Sequence, residues 1–69
     1  MNIEINGKTE TLDEGKSLAA LVDQKGLTGK RIAIEVNEEL ITRKEYDGHN
    51  LKEGDQVEIV QAIGGGWAK

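Results

Sequence analysis

Three consecutive glycines, Gly64, Gly65 and Gly66, follow directly on an apolar strand pattern and lead into Trp67, Ala68 and Lys69. Glycine lacks a Cβ, so such a run leaves a slim, mobile backbone that packs poorly. It suits a tail that enters a narrow site on another protein. Other residue types able to do chemistry are sparse. The single histidine, His49, and the serine Ser17 fall on unrelated elements, so no nucleophile and base stand together. His49 has no ligand partners at metal spacing and reads as a solvent-facing loop residue, so no metal site is expected. The chain has no cysteine, which excludes a disulfide and a thiolate nucleophile. The chemistry therefore points to the glycine tail rather than to a catalytic cluster.

The elements that must position this tail are legible from periodicity. Ile3 and Ile5 alternate with polar residues as in a half-buried strand, and Asn6-Gly7 follows as a hairpin signal. Lys8 to Leu12 is the returning strand, and Asp13-Glu14-Gly15 a loop. Ser17 is placed to cap a helix whose Leu18, Leu21 and Val22 form one apolar stripe. Gly26 ends that helix in a left-handed conformation, and Leu27 folds back onto the core. Ile32, Ile34 and Val36 mark a third strand. Asn37-Glu38-Glu39 turns into a short fourth, Leu40 to Thr42. Arg43 to Asn50 is polar and irregular with room for one helical turn, and Leu51 is its anchor. Lys52-Glu53-Gly54-Asp55 turns into the last strand, Gln56 to Ile63. That strand carries Val57, Ile59 and Ile63 on one face and Val60 and Ala62 on the other, which predicts a central place in the sheet.

The order is hairpin, helix, strand, short strand, strand. It predicts an α+β architecture of the β-grasp, or ubiquitin-like, plan: a mixed sheet of about four to five strands with one helix across one face. Residues 1–63 form this domain and 64–69 a flexible glycine-rich C-terminal tail, with Trp67 folding back onto the sheet to cover apolar surface as the alternative. A chain of 69 residues holds one small domain. At this size only about 60% of the unfolded surface is buried, so the core is thin. No apolar run approaches the roughly 20 residues of a membrane span, and the N-terminus lacks the pattern of a signal peptide. A cytoplasmic, monomeric protein is the expectation, with no membrane partner. The net charge of −4 is spread along the chain without a basic stripe, which disfavours nucleic acid. An acidic surface either meets a basic partner or simply maintains solubility.

Three stretches carry a resemblance. Val36 to Tyr46 is similar to the strand-turn-strand and following basic-acidic segment of the ThiS-like sulfur carriers, within the wider ThiS/MoaD superfamily. Leu51-Lys52-Glu53-Gly54-Asp55-Gln56-Val57 resembles that family's turn into its last strand. Val60-Gln61-Ala62-Ile63-Gly64-Gly65-Gly66 resembles its approach to a terminal diglycine. Two departures stand out. Thr42 occupies a position where many members have proline, and the chain continues past the glycines whereas the family usually stops there. The strand register sets the diglycine at Gly65-Gly66.

The resemblance implies a protein that catalyses nothing and binds no cofactor. Its terminal glycine, here Gly66, is adenylated with ATP by a ThiF-like enzyme related to the ubiquitin-activating enzymes. Sulfur then replaces one oxygen to give a thiocarboxylate. Gly64 and Gly65 enter the partner's active site. Elementary chemistry agrees: a carboxylate is a poor electrophile until its oxygen becomes a leaving group, and glycine minimises crowding at the carbonyl. In this sequence Gly66 is joined by an amide to Trp67, so the resemblance implies removal of Trp67, Ala68 and Lys69. Some diglycine carriers have such extensions trimmed by a zinc metalloprotease of the JAMM type.

Val60 and Ala62 are candidate docking residues on the open side of the sheet, with Arg43 and Tyr46 as candidates bordering the same surface. The alternatives are that neighbouring side chains cover Val60 and Ala62, and that Tyr46 is a packed lid over the core. Three functions remain in view. The first is sulfur supply to thiazole formation in thiamine biosynthesis, with a thiazole synthase as acceptor. The second is supply to cysteine, homocysteine, methionine or another sulfur metabolite, with a sulfhydrylase as acceptor. The third is a ubiquitin-like modifier joined to target lysines.

Overall fold

The computed structural model describes residues 1–63 and 66–68. Strands β1 (Asn2–Ile5) and β2 (Lys8–Thr11) form the first hairpin. Helix α1 (Leu18–Gln24) follows, then β3 (Ile32–Val36), β4 (Glu39–Ile41), a 3-10 turn (Arg43–Glu45), β5 (Gln56–Ile63) and β6 (Gly66–Ala68). The sheet runs β2-β1-β5-β3-β4, with β6 paired to β5. β5 is central as expected, parallel to β1 and antiparallel to β3.

Local chemistry explains the turns. Asn6 and Gly7 adopt φ of 51° and 84°, the left-handed pair that a two-residue hairpin with right-twisted strands requires. The β3–β4 turn uses the same geometry at Asn37 and Glu38, with φ of 52° and 69°. Strand pairing therefore resumes at Val36–Glu39, and β4 begins one residue earlier than its apolar residues suggest.

The helix is capped at both ends. The Ser17 hydroxyl accepts the Ala20 N–H at 3.1 Å. The N–H groups of Leu18 and Ala19 donate to the carbonyls of His49 and Tyr46, at 2.9 and 3.1 Å. The polar stretch after β4 thus supplies carbonyls to helix donors that have no partner within the helix. At the other end Gly26 sits at φ 73°. Its N–H donates to the Asp23 carbonyl, and the Leu27 N–H donates to Val22. This paired closure turns Leu27 back against the core.

One apolar layer lies between helix and sheet. Ile3, Leu18, Leu21, Ile34 and Leu51 are its most deeply buried members, joined by Val57 and Ile59 from β5. Tyr46 belongs to the same layer, only 8% exposed. Burial raises its phenol above the ordinary value of 10.0, with a smaller opposing effect from the Arg43 charge. The folded state therefore favours the neutral phenol. This contribution is complete below about pH 10 and is lost as the pH rises through the raised folded value. Urea unfolding between about pH 9 and 11 is expected to show a steeper loss of stability in the parent chain than in Tyr46→Phe. Equal slopes would contradict it. In the turn before it, the Thr42 hydroxyl and backbone N–H hold the Glu45 carboxyl below its usual range.

Candidate functional site

The site begins where β5 runs into the glycines. β5 is held on one side by β3 through Gln61, and the Ala62 N–H extends this contact to the Arg31 carbonyl at 3.0 Å. On its other side β1 pairs only as far as Ile5–Val57. There the Asn6 side chain takes over as a substitute strand residue. Its Oδ1 accepts the Ile59 N–H at 2.8 Å, and its Nδ2 donates to the Ile59 carbonyl at 3.3 Å. Beyond it the edge of β5 belongs to β6, in the register Gln61–Ala68, Ala62–Trp67 and Ile63–Gly66.

This differs from the expected flexible tail over 64–69. Gly66–Ala68 form a strand, while Gly64, Gly65 and Lys69 lie outside the described residues. The register leaves two residues between Ile63 and Gly66, the commonest hairpin length. The antiparallel register sets Trp67 opposite Ala62, so the chain beyond the glycines returns along the edge of β5.

A buried polar clamp fixes the start of β5. Asp55 is 5% exposed. Its two carboxylate oxygens accept from Asn37 Nδ2 at 3.1 Å and from the Lys52 N–H at 2.8 Å. The Asn37 Oδ1 accepts the Gln56 N–H at 2.9 Å, and the Asp55 carbonyl accepts the Glu4 N–H at 3.0 Å. The side chain therefore ties the β3–β4 turn to the loop before β5, and the backbone carbonyl of the same residue adds β1. Sequence reading places Asp55 in a turn but misses this role, since nothing local distinguishes a clamp from a solvated turn aspartate. The nearest signal was the Gly54-Asp55 pair opposite an Asn-containing turn.

On the helix-free face of the sheet, Val60 and Ala62 are half-buried. Ile34 and Ile59 pair within the core, so the adjoining pairs Ala33–Val60 and Glu35–Glu58 project to the open side. Ala33, Glu35, Glu58 and Val60 line a shallow groove there. Leu40, paired to Glu35, stands 63% exposed at its margin. Sequence reading did not single out Leu40. Glu4, Glu35, Glu38 and Glu58 also line one hollow, so this face is acidic around small apolar groups.

Arg43 and Tyr46 do not border this surface. Tyr46 packs in the core on the helix side, and both residues line a hollow with Ala19, Val22, Leu27 and Ile32. Arg43 donates to the Lys30 carbonyl at 2.8 Å, tying the 3-10 turn to the loop after the helix. The structure assigns both to the opposite side of the sheet from Val60 and Ala62, because Ile32 and Ala33 face opposite ways along β3. Among the described residues no three His, Asp or Glu side chains gather as metal ligands.

A single helix packed across a mixed sheet, whose central strand leads into a diglycine, defines a ubiquitin-like β-grasp protein. The ThiS family model matches residues 2–66, and the chain belongs to the ThiS family. It is 36% identical to the sulfur carrier protein ThiS of Thermus thermophilus over 62 residues, covering 90% of this chain and 95% of that protein. It is 35% identical to a thiazole synthase of Magnetococcus marinus over 66 residues, or 96% of this chain, and spans only 20% of that protein's length. Among solved structures, the thiamine biosynthesis protein ThiS of Geobacter metallireducens superposes with a TM-score of 0.81 at 32% identity, covering 96% of this chain and all of that one.

Proposed function

We propose that this chain is a non-catalytic sulfur carrier for thiazole formation in thiamine biosynthesis, with Gly66 as the sulfur-bearing residue. The observation that carries this reading is the range of the family match, which ends on Gly66. The names of the relatives support the pathway, and a thiazole synthase that contains a similar segment supports such an enzyme as acceptor.

Water first cleaves the Gly66–Trp67 amide, leaving a carboxylate on Gly66 and a free amine on Trp67. A ThiF-type adenylating enzyme then joins the carboxylate oxygen to the α-phosphorus of ATP and releases pyrophosphate. A sulfur nucleophile adds to the acyl carbon and expels AMP. The Gly66 thiocarboxylate passes its sulfur to the acceptor. The need for ATP supports a cytoplasmic place for the carrier. The acidic rim around Val60, Ala62 and Leu40 fits a basic docking surface on the adenylating enzyme.

The residues beyond Gly66 favour a second reading. Carriers with trimmed extensions also serve other sulfur metabolites, with a JAMM-type metalloprotease for trimming and a sulfhydrylase as acceptor. Both readings share the acyl chemistry. The test is incubation of the full chain, and of a version ending at Gly66, with a ThiF-type enzyme, ATP and a sulfide donor. Mass analysis is expected to show one oxygen exchanged for sulfur in the shorter chain alone. Loading of neither form refutes the carrier reading, and loading of the full chain refutes the need for trimming.

A further inference from the structure

The pairing of β6 has a consequence for the acyl group. The Ala62 N–H donates to the Arg31 carbonyl, so the backbone groups of Ala62 face β3. Backbone direction alternates along a strand. Those of Gln61 and Ile63 therefore face the opposite edge, where β6 lies. In an antiparallel ladder, residues whose groups face each other exchange both of their hydrogen bonds. Gln61–Ala68 and Ile63–Gly66 are these pairs, and Ala62–Trp67 is the intervening non-bonded pair. The Gly66 carbonyl is thus the acceptor of the Ile63 N–H. It is also the carbonyl of the amide joined to Trp67.

We propose that β6 is an internal latch: its pairing with β5 ties up the Gly66 carbonyl and holds the Gly66–Trp67 bond away from a protease until the β5–β6 hairpin opens. The proposal rests on Gly66 being the acyl residue, and it concerns the regulation of that site. Proteolytic and acyl-transfer sites both need the carbonyl oxygen free to enter a hydrogen-bonding or metal-lined hole. A carbonyl already bonded to Ile63 within a ladder must first be released. The edge that β6 occupies is available because β1 stops at Ile5 and Asn6 closes only the next step, at Ile59. The sequence thus builds a vacant stretch of β5 edge and provides a strand to fill it. Once Trp67–Lys69 are removed, the Gln61–Ala68 pair is lost and Gly66 is released.

Two measurements test the latch, and neither involves an adenylating enzyme, ATP or sulfur, so they stand apart from the carrier reading. The first is amide hydrogen exchange by NMR on the full chain, on Ala68→Pro, and on the chain ending at Gly66. Ala68→Pro removes the N–H that bonds Gln61. The Ile63 amide is expected to exchange about tenfold faster in both altered chains than in the full chain. Equal exchange in all three overturns the latch. The second is trimming by thermolysin, with the species ending at Gly66 followed by mass. Gly64→Asn puts the hairpin-favouring sequence Asn-Gly between the paired residues Ile63 and Gly66 and leaves Gly66 and Trp67 unchanged, so it is expected to favour the β5–β6 pairing. Trimming is expected to slow roughly threefold, as cleavage tracks the open population. An unchanged or faster rate overturns the proposal.

Discussion

Asp55→Ala is expected to lower the stability of the domain by about 3 kcal/mol, since it removes two hydrogen bonds to a charged acceptor that are each worth ~1.5–3 kcal/mol. The Asn37 Nδ2 and the Lys52 N–H each use a different oxygen of the Asp55 carboxylate. Removing it therefore releases two loops at once. Asn37 matters twice, because its Oδ1 also accepts the Gln56 N–H at the start of β5. A domain of this length has a total stability of roughly 3–10 kcal/mol at ~0.05–0.15 kcal/mol per residue, so the loss is a large share. Asp55→Asn is the informative companion. Its side-chain oxygen can serve one of the two donors, while its NH2 group confronts the other. It is expected to recover only part of the loss. Urea unfolding followed by circular dichroism measures both variants. An Asp55→Ala midpoint equal to the parent's would show that the buried clamp contributes nothing.

How much of this architecture the sequence reveals depends on the range of the interaction. Apolar alternation in β1, β3 and β5 and the stripe Leu18, Leu21 and Val22 are local patterns, and the structure buries those residues as expected, with the burial of Ile63 outside the described residues. Asn6-Gly7 and Gly26 are legible because left-handed backbone has few residue solutions. Glu38 at φ 69° is not, since it is an unfavoured residue held there by pairing on both sides of the turn. The long-range polar contacts are also invisible. Asn6 completing the β5 edge at Ile59 links residues far apart in sequence, and no local pattern of Asn6 announces it. Arg43 and Tyr46 are candidates for the border of the docking face on sequence alone, with Tyr46 as a packed lid over the core the alternative, and the structure buries Tyr46 as that lid. Their true side follows from the 3-10 turn, which swings them under the helix toward Lys30.

The same division applies to the tail. Composition predicts a slim backbone after Ile63, and glycine's freedom permits that. It equally permits a tight reversal, and the outcome depends on whether an edge of β5 is open. The short β1 and the Asn6 closure leave that edge, so β6 forms where composition alone suggests a loose end. In the proposed carrier the chain end thus meets two demands in sequence: pairing with β5 in the full chain, and entry into a narrow site after trimming.

The second demand leads to the largest expected effect. In the chain ending at residue 66, Gly66→Val is expected to slow thiocarboxylate formation by about 100-fold or more, the scale of loss that misplacing a reacting centre by ~1 Å produces. The isopropyl group stands beside the acyl carbon that both the phosphoryl donor and the sulfur nucleophile must approach. It also fixes χ1 and restricts the backbone that has to thread into the adenylating site. Gly66→Ala adds one methyl and is expected to fall between Val and the parent. Domain stability should remain at the parent value in both variants, because residue 66 is then the chain end and the described core is built from residues between Ile3 and Ile59. A rate collapse with an unchanged unfolding midpoint separates damage to the acyl terminus from damage to the fold. The assay is single-turnover loading with a ThiF-type enzyme, ATP and sulfide, read by mass. Loading of Gly66→Val at the parent rate would mean that the reacting carbonyl is not that of residue 66.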